Sequence, residues 1–103
     1  LARRTAHLRP TPGRIVEIVI EVLGLARGEI FDRRRGGIGP MARAVAVQVG
    51  ARFGVPMSGT GDALGIHPAS AARLAALALT PSARRAAEVI QERLVAELRR
   101  GER

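Results

Sequence analysis

Residues 57–76, MSGTGDALGIHPASAARLAA, decide the fold of this chain. Gly61 is small enough to let a second helix cross the first one closely. Gly65, four residues later, can end a helix in the left-handed conformation without Cβ strain. Pro68 suits the first position of a second helix, with His67 as its cap. The spacing predicts a helix-turn-helix, and two ordinary short core helices are the alternative.

The second of these helices is predicted to bury Ala71 and Leu74, three residues apart on one face. The residues expected on the outer face are His67, Pro68, Ala69, Ala72, Arg73 and Ala76. Arg73 has donors for a guanine edge or a phosphate, and His67 is either a solvent-exposed cap or a donor to DNA. Alanine offers close approach or contact with a thymine methyl group. The helix therefore suits DNA but can read little sequence.

Composition excludes several classes of protein. The chain has 103 residues, 47% of them hydrophobic, which is enough for one folded domain. The formal net charge is +8, and all 17 basic residues are arginine. Such a charge permits nucleic acid, an anionic membrane surface or an acidic protein as partner. Cysteine, tyrosine and tryptophan are absent, so thiol chemistry and base stacking on aromatic side chains are not expected.

Membrane insertion and secretion are not expected either. The chain has no apolar run of the ~20 residues that a membrane span requires. Its first twelve residues lack the apolar centre of a signal peptide. We therefore expect a cytoplasmic protein.

Residues 1–10 are polar and basic and are interpreted as a flexible tail or linker, with a single helical domain over residues 11–103. Thr11 and Pro12 are a cap and a first-turn proline, and they begin a helix that is predicted to end at Gly24. A short helical turn at 28–32 is predicted to bury Ile30 and Phe31. The next helix is predicted to begin at Gly39–Pro40, with an inward stripe of Met41, Val45, Val49 and Phe53. Gln48 and Arg52 are predicted to lie on the outside of this helix.

The last helix repeats the cap-and-proline signal at Thr80 and Pro81. Its apolar stripe is Ala83, Ala87, Ile90, Leu94 and Leu98. Arg93 and Glu97 are predicted to form a surface pair one turn apart. The helix is longer than a compact core needs, so its end either frays or pairs with a second copy in a homodimer. Together these signals predict an all-α domain of five to six helices.

Three consecutive arginines, Arg33, Arg34 and Arg35, stand before two glycines. Such a run is either a solvated loop or, beside a helix-turn-helix, an arm that binds phosphates or the minor groove. Arg43 falls near a helix start, where the helix dipole disfavours a cation. A bound phosphate would relieve that conflict, and an exposed arginine would tolerate it.

From residue 14 to about residue 58 the chain resembles, without gaps, the DNA-binding domain IV of the bacterial replication initiator DnaA. The points of likeness are a first helix ending near Leu25, Ile30-Phe31 before the arginine run, Arg43 opening a helix, and Met57, Gly61, Leu64 and Gly65 at the family's spacing. Residues 64–74, LGIHPASAARL, are more similar to the version of this domain at the C-terminus of REP-associated tyrosine transposases.

The resemblance implies a small all-helical, Trp-repressor-like domain that binds duplex DNA. In that family a basic loop enters the minor groove and the second motif helix enters the major groove. Arg33, Arg34, Arg35 and Arg43 match the basic loop and the arginine after it, and His67, Ala69 and Ser70 match the start of the recognition helix. The Arg-Asp-His-Thr-Thr run of the initiators is replaced here by His-Pro-Ala-Ser-Ala.

The first functional hypothesis is therefore a double-stranded DNA-binding module of a larger, transposase-like protein associated with the nucleoid. Phosphates would be neutralised by Arg33, Arg34, Arg35 and Arg43, and bases would be contacted by His67, Ser70 and Arg73. A protein-interaction or dimerisation domain on the same fold is the alternative, because the alanine-rich helix face could equally pack on a partner helix. A DnaA-type initiator domain is a second alternative.

Catalysis within this chain is not expected. The acids Glu17 and Glu21 fit one face of a surface helix better than a catalytic carboxylate pair. No spacing of residues matches a metal site, a catalytic triad or a phosphate-cradling loop, so no catalytic residue, metal or cofactor is predicted. If the transposase likeness holds, the catalytic tyrosine lies upstream of Leu1, because this chain has no tyrosine.

Overall fold

The computed structural model describes residues 9–26, 28–32 and 37–101. Within those residues there are five α-helices and one short 3₁₀ helix, and no strand. The helices are α1 (Pro12–Leu23), the 3₁₀ helix (Glu29–Phe31), α2 (Gly39–Arg52), α3 (Met57–Leu64), α4 (Pro68–Ala76) and α5 (Pro81–Gly101). The predicted all-α class and helix number are confirmed.

Two of the predicted helix starts form through the expected side-chain caps. The hydroxyl of Thr11 accepts a hydrogen bond from the backbone N–H of Arg14 at 3.1 Å, and that of Thr80 accepts one from Ala83 at 3.2 Å. Each cap satisfies a backbone donor that the first helical turn would leave unpaired. α1 ends as predicted at Gly24, which adopts the left-handed conformation with φ of 64°.

α2 is the central helix, because it packs against α1, the 3₁₀ helix, α3, α4 and α5. The predicted stripe is therefore too narrow. Val45 and Val49 are fully buried, but Met41 and Phe53 are only partly covered. Small residues on the other faces are fully buried as well, namely Ala42, Ala44, Ala46 and Val47. Their short side chains let five neighbouring elements surround one helix.

α1 and α5 pack on α2 and are joined to each other by ion pairs. Arg14 donates from Nε and Nη2 to the two carboxylate oxygens of Glu97, at 2.9 and 3.1 Å. Arg93 donates to Glu21 at 3.3 Å. The predicted pair between Arg93 and Glu97 is therefore wrong, because each side chain finds its partner across the interface on α1. In none of the described helices is there an apolar stretch long enough to cross a membrane.

The 3₁₀ helix buries one of its two large apolar side chains. Ile30 is fully buried against α2, as predicted, whereas Phe31 is 46% exposed and the prediction for it is wrong. Successive residues of a 3₁₀ helix point about 120° apart. A single short turn therefore cannot direct both side chains into the same core.

Candidate nucleic-acid interface

The predicted turn between α3 and α4 has the expected local geometry. A Cβ atom placed on Gly61 would lie 3.2 Å from the Cβ of Ala71, so the two helices approach most closely where the sequence has its smallest residue. Gly65 adopts a left-handed conformation with φ of 69°, and its N–H donates to the carbonyl of Asp62. Leu64 is buried beside this turn. Three residues, 65–67, thus connect the two helices.

His67 caps α4. Its Nδ1 accepts a hydrogen bond from the backbone N–H of Ala69 at 3.0 Å, and the ring is exposed to solvent. A ring nitrogen that accepts a hydrogen bond carries no proton, so the neutral imidazole holds its proton on Nε2. The solvent-exposed cap is therefore confirmed. A contact between Nε2 and DNA stays a prediction.

α4 packs on α2 and α3 at the surface of the domain, and six of its nine residues are exposed. Ala71 is fully buried and Leu74 partly buried, as predicted from their spacing. The outward residues are exposed as predicted: His67, Pro68, Ala69, Ala72, Arg73 and Ala76. Arg73 donates from Nη2 to the hydroxyl of Ser70 at 3.2 Å, which orients its side chain along the helix.

Gln48 of α2 holds the C-terminal end of α4. Its Nε2 donates to the backbone carbonyls of Leu74 at 3.0 Å and Leu77 at 2.7 Å. These carbonyls lie at the end of α4, where helical partners run out. Sequence reasoning placed Gln48 on the outside of its helix and missed this role. The available signal was a single amide within the alanine and valine run of residues 44–49.

Arg43 of α2 is bonded to the chain just before the arginine run. Its Nη1 donates to the carbonyls of Ile30 at 2.8 Å and Asp32 at 2.9 Å. Those carbonyl oxygens carry partial negative charge, so they relieve the conflict with the helix dipole without a bound phosphate. Arg43 thereby fixes the backbone that leads directly into residue 33. The three predicted phosphate-binding residues Arg33, Arg34 and Arg35 lie outside the described residues.

A cavity of about 460 Å³, here called the α4 cavity, lies between the 3₁₀ helix, the start of α2 and α4. Its apolar lining consists of Phe31, Pro40, Ile66, Leu74 and Leu77. Its polar lining consists of Arg43, His67, Ser70 and Arg73. Four of the eight predicted site residues therefore share one cavity. Ala69, a fifth, is exposed at the start of α4, and its backbone N–H forms the His67 cap.

Acidic residues are concentrated away from α4. Five of the nine acids in the sequence are on α1 and α5: Glu17, Glu21, Glu88, Glu92 and Glu97. Residues 63–87, which include all of α4, contain no acid. Arg73, Arg84 and Arg85 therefore have no acidic residue within this segment to compensate their charge, which favours an anionic partner there.

The described part of the chain has no grouping of side chains suited to a metal ion. No cluster of three or more His, Asp or Glu residues is arranged there to hold a metal ion. No protein-family model, curated protein or solved structure matches this chain.

Proposed function

We propose that this chain is a double-stranded DNA-binding module of a larger, transposase-like protein. α3 and α4 act as a helix-turn-helix, and α4 enters the major groove. The observation that carries the proposal is the α4 cavity, where Phe31 and Arg43, from beside the arginine run, meet Arg73 from α4. A duplex that contacts Arg73 on α4 would therefore pass close to Phe31 and Arg43, and the arginine run begins two residues after Phe31 in the sequence. The resemblance to the DnaA domain IV family points to the same use.

Most of the binding free energy comes from phosphate neutralisation in this proposal. Arg33, Arg34 and Arg35 supply three adjacent cations, each of which can release counterions from the duplex. Arg43 has a positioning role, because its guanidinium already bonds the carbonyl of Asp32. Phosphate contacts set the register of a protein on DNA but do not read bases.

Base reading falls to a few donors on α4. Arg73 has the bidentate fork that recognises guanine, and His67 presents an Nε2 proton. The half-buried Ser70 already accepts a hydrogen bond from Arg73. The exposed alanines contribute close approach and contact with thymine methyl groups. We therefore expect binding that is biased toward some sequences without being strongly specific.

Charge reversal tests the proposal. Arg33→Glu combined with Arg34→Glu should weaken binding to every duplex alike, by about tenfold or more, and should make the affinity less dependent on salt. Each lost phosphate contact removes about 0.9 from the slope of log affinity against log salt. Fluorescence anisotropy of labelled duplexes over a salt series measures both quantities.

The matched control is Arg99→Glu combined with Arg100→Glu, which changes the net charge by the same amount. These residues lie ~27 Å along α5 from its first residue, Pro81, at a rise of about 1.5 Å per residue. The control should bind duplexes nearly as the wild type does at physiological salt. Equal weakening by both double variants would mean that net charge alone attracts DNA, and the assignment of the arginine run would be wrong.

A protein-interaction domain is the second candidate, and the exposed apolar surface at one end of α4 favours it. Leu77 is 40% exposed, and Ala69, Ala72 and Ala76 line the outer face of the same helix. Small side chains of this kind also allow a partner helix to approach. A stable dimer by light scattering, with no affinity for duplex DNA, would favour this function over the first.

A further inference from the structure

The α4 cavity leaves apolar surface uncovered in a concave place. Phe31 is 46% exposed and Leu77 is 40% exposed, although both line a cavity of about 460 Å³. Cavities of ~300–1,000 Å³ with mainly apolar walls are typical of sites for small organic molecules. Exposed apolar surface that is gathered in one place commonly marks a binding site.

The polar part of the lining favours a negative charge. Arg43 and Arg73 both contribute to it, and none of the acidic residues that the structure describes does. Arg43 is engaged by backbone carbonyls, yet it keeps its positive charge at the wall. Arg73 uses one N–H for Ser70, and a guanidinium has five such donors in a fixed plane. This fork matches the geometry of a planar carboxylate, which also suits a site with apolar walls better than a more strongly charged phosphate does.

We propose that the α4 cavity binds a small organic carboxylate with an apolar, aromatic or alkyl body. The carboxylate pairs with Arg73 and accepts from Nε2 of His67, whereas the body covers Phe31 and Leu77. Both halves of the ligand are needed, because a bare anion would leave the apolar wall in contact with water and a neutral molecule would leave the positive charge of Arg73 without a counterion.

Binding of this ligand affects DNA binding by competition. His67, Ser70 and Arg73 line the cavity and are also the base-contacting residues of the proposed interface. A carboxylate seated on Arg73 removes the donors that would reach a guanine or a phosphate. This regulatory consequence rests on the proposed function, whereas the ligand site itself does not.

The test of the site uses 3-phenylpropionate as probe, the neutral 3-phenylpropanamide as matched control for charge, and acetate as control for the apolar body. Each is titrated into the full chain at constant ionic strength and without DNA, and amide shifts are followed by NMR. We expect saturable shifts at Phe31, Ser70, Arg73 and Leu77, with 3-phenylpropionate binding at least tenfold more tightly than either control.

Two variants locate the charge that is recognised. Arg73→Gln, at an exposed position, should weaken 3-phenylpropionate about tenfold and leave the amide unchanged. Arg52→Gln, an exposed arginine at the end of α2 that does not line this cavity, should change neither. Equal affinity for carboxylate and amide, an equal effect of the two variants, or shifts without saturation would each overturn the site.

The same probe, added in the duplex-binding assay at ten times its dissociation constant, should lower wild-type affinity for DNA by at least threefold. Unchanged duplex affinity with a saturated cavity would overturn the regulatory step alone. A chain that binds 3-phenylpropionate but no duplex would contradict the proposed function and still support the ligand site. A chain that binds duplex but not 3-phenylpropionate would support the proposed function and contradict the ligand site.

Discussion

At the residue scale, Thr60 is an exception in the core. Its side chain is fully buried, and its hydroxyl has no hydrogen-bond partner among the described residues. The hydroxyl oxygen lies only 2.8 Å from where a Cβ on Gly50 would stand, so it occupies the space left by a glycine of α2. An unpaired buried hydroxyl destabilises a fold by about 1–3 kcal/mol.

Thr60→Val should therefore raise the free energy of unfolding by about 1 kcal/mol, because the unpaired hydroxyl is replaced by a methyl group of similar shape. Urea unfolding followed by circular dichroism measures the change. Thr60→Ser, which keeps the hydroxyl and loses the methyl group, should instead lower stability. A Val variant that is less stable than the wild type would show that the hydroxyl is paired in solution.

The ion pair between Arg14 and Glu97 makes stability depend on pH. Hydrogen bonding by Arg14 lowers the pKa of the Glu97 carboxyl, and the same bond raises the pKa of Arg14. A carboxyl whose pKa is lowered by folding contributes stability above its ordinary pKa of about 4.3, and that contribution is lost as pH falls through the lowered value. Both side chains are partly exposed, so the effect is modest.

Glu97→Gln should accordingly lower the free energy of unfolding at neutral pH by about 0.5–1 kcal/mol. The difference from wild type should shrink as pH falls from the ordinary carboxyl pKa of about 4.3 through the lowered pKa of Glu97, because below it both chains have an uncharged side chain at this position. Urea unfolding at several pH values measures it. Glu88→Gln, at an exposed position on the same helix, is the control. A difference that stays constant across the acidic range would rule out the charge as its origin.

At the element scale, the crossing of α3 and α4 depends on one missing side chain. Gly61→Ala should destabilise the fold, because its new Cβ lies 3.2 Å from that of Ala71 and overpacking outweighs the gain in helix propensity of up to ~1 kcal/mol. Gly59→Ala is the matched control on the same helix. Its nearest contact, with Pro12, would be 3.4 Å, so we expect that variant to be stabilised.

Ala71→Gly should partly restore the Gly61→Ala variant, since it removes the other half of the close contact. A double-mutant cycle by urea unfolding should then show a favourable coupling of about 0.5–1 kcal/mol. The close crossing would be contradicted if Gly61→Ala stabilised the chain as much as Gly59→Ala does.

Elements defined by local signals could be predicted from the sequence. Thr11, Thr80 and Gly65 act on backbone groups within a few residues, so their roles follow from neighbours in the chain. The burial of α2 on all sides could not be predicted, because it depends on five elements meeting around one helix. Phe31 is exposed because the side chain of the adjacent Ile30 points into the core, and one short 3₁₀ turn cannot direct both side chains there.

The candidate site also has one part that the sequence predicts and one part that it does not. The exposed face of α4 follows from the spacing of Ala71 and Leu74, which the sequence displays directly. The α4 cavity needs the 3₁₀ helix and the start of α2 to meet residues 66–77, more than 20 residues further along the chain, and no local pattern encodes that. Gln48 bonds to carbonyls 26 and 29 residues away, and Arg43 to carbonyls 13 and 11 residues away. Both contacts exist only in the packed domain.

At the scale of the whole molecule, charge is distributed unevenly over the helices. Three of the five acids on α1 and α5 pair with Arg14 or Arg93, so the positive charge of these helices is partly compensated; these acids are Glu17, Glu21 and Glu97. α4 has Arg73 and no acid. α1 and α5 together contribute only +1 to the net charge of +8, so most of the positive charge lies in the rest of the chain, where it is available to an anionic partner.

The central claim is that one duplex contacts α4 and the segment beside the arginine run together. The most direct measurement is the map of amide chemical shifts when an unlabelled duplex is titrated into the full chain at physiological salt. We predict that Ala69, Ser70 and Arg73 shift together with Phe31, Asp32 and Gly37, with one dissociation constant, while Arg99 and Arg100 of α5 stay in place. Shifts confined to α1 and α5, or two groups of residues that titrate with different constants, would contradict it.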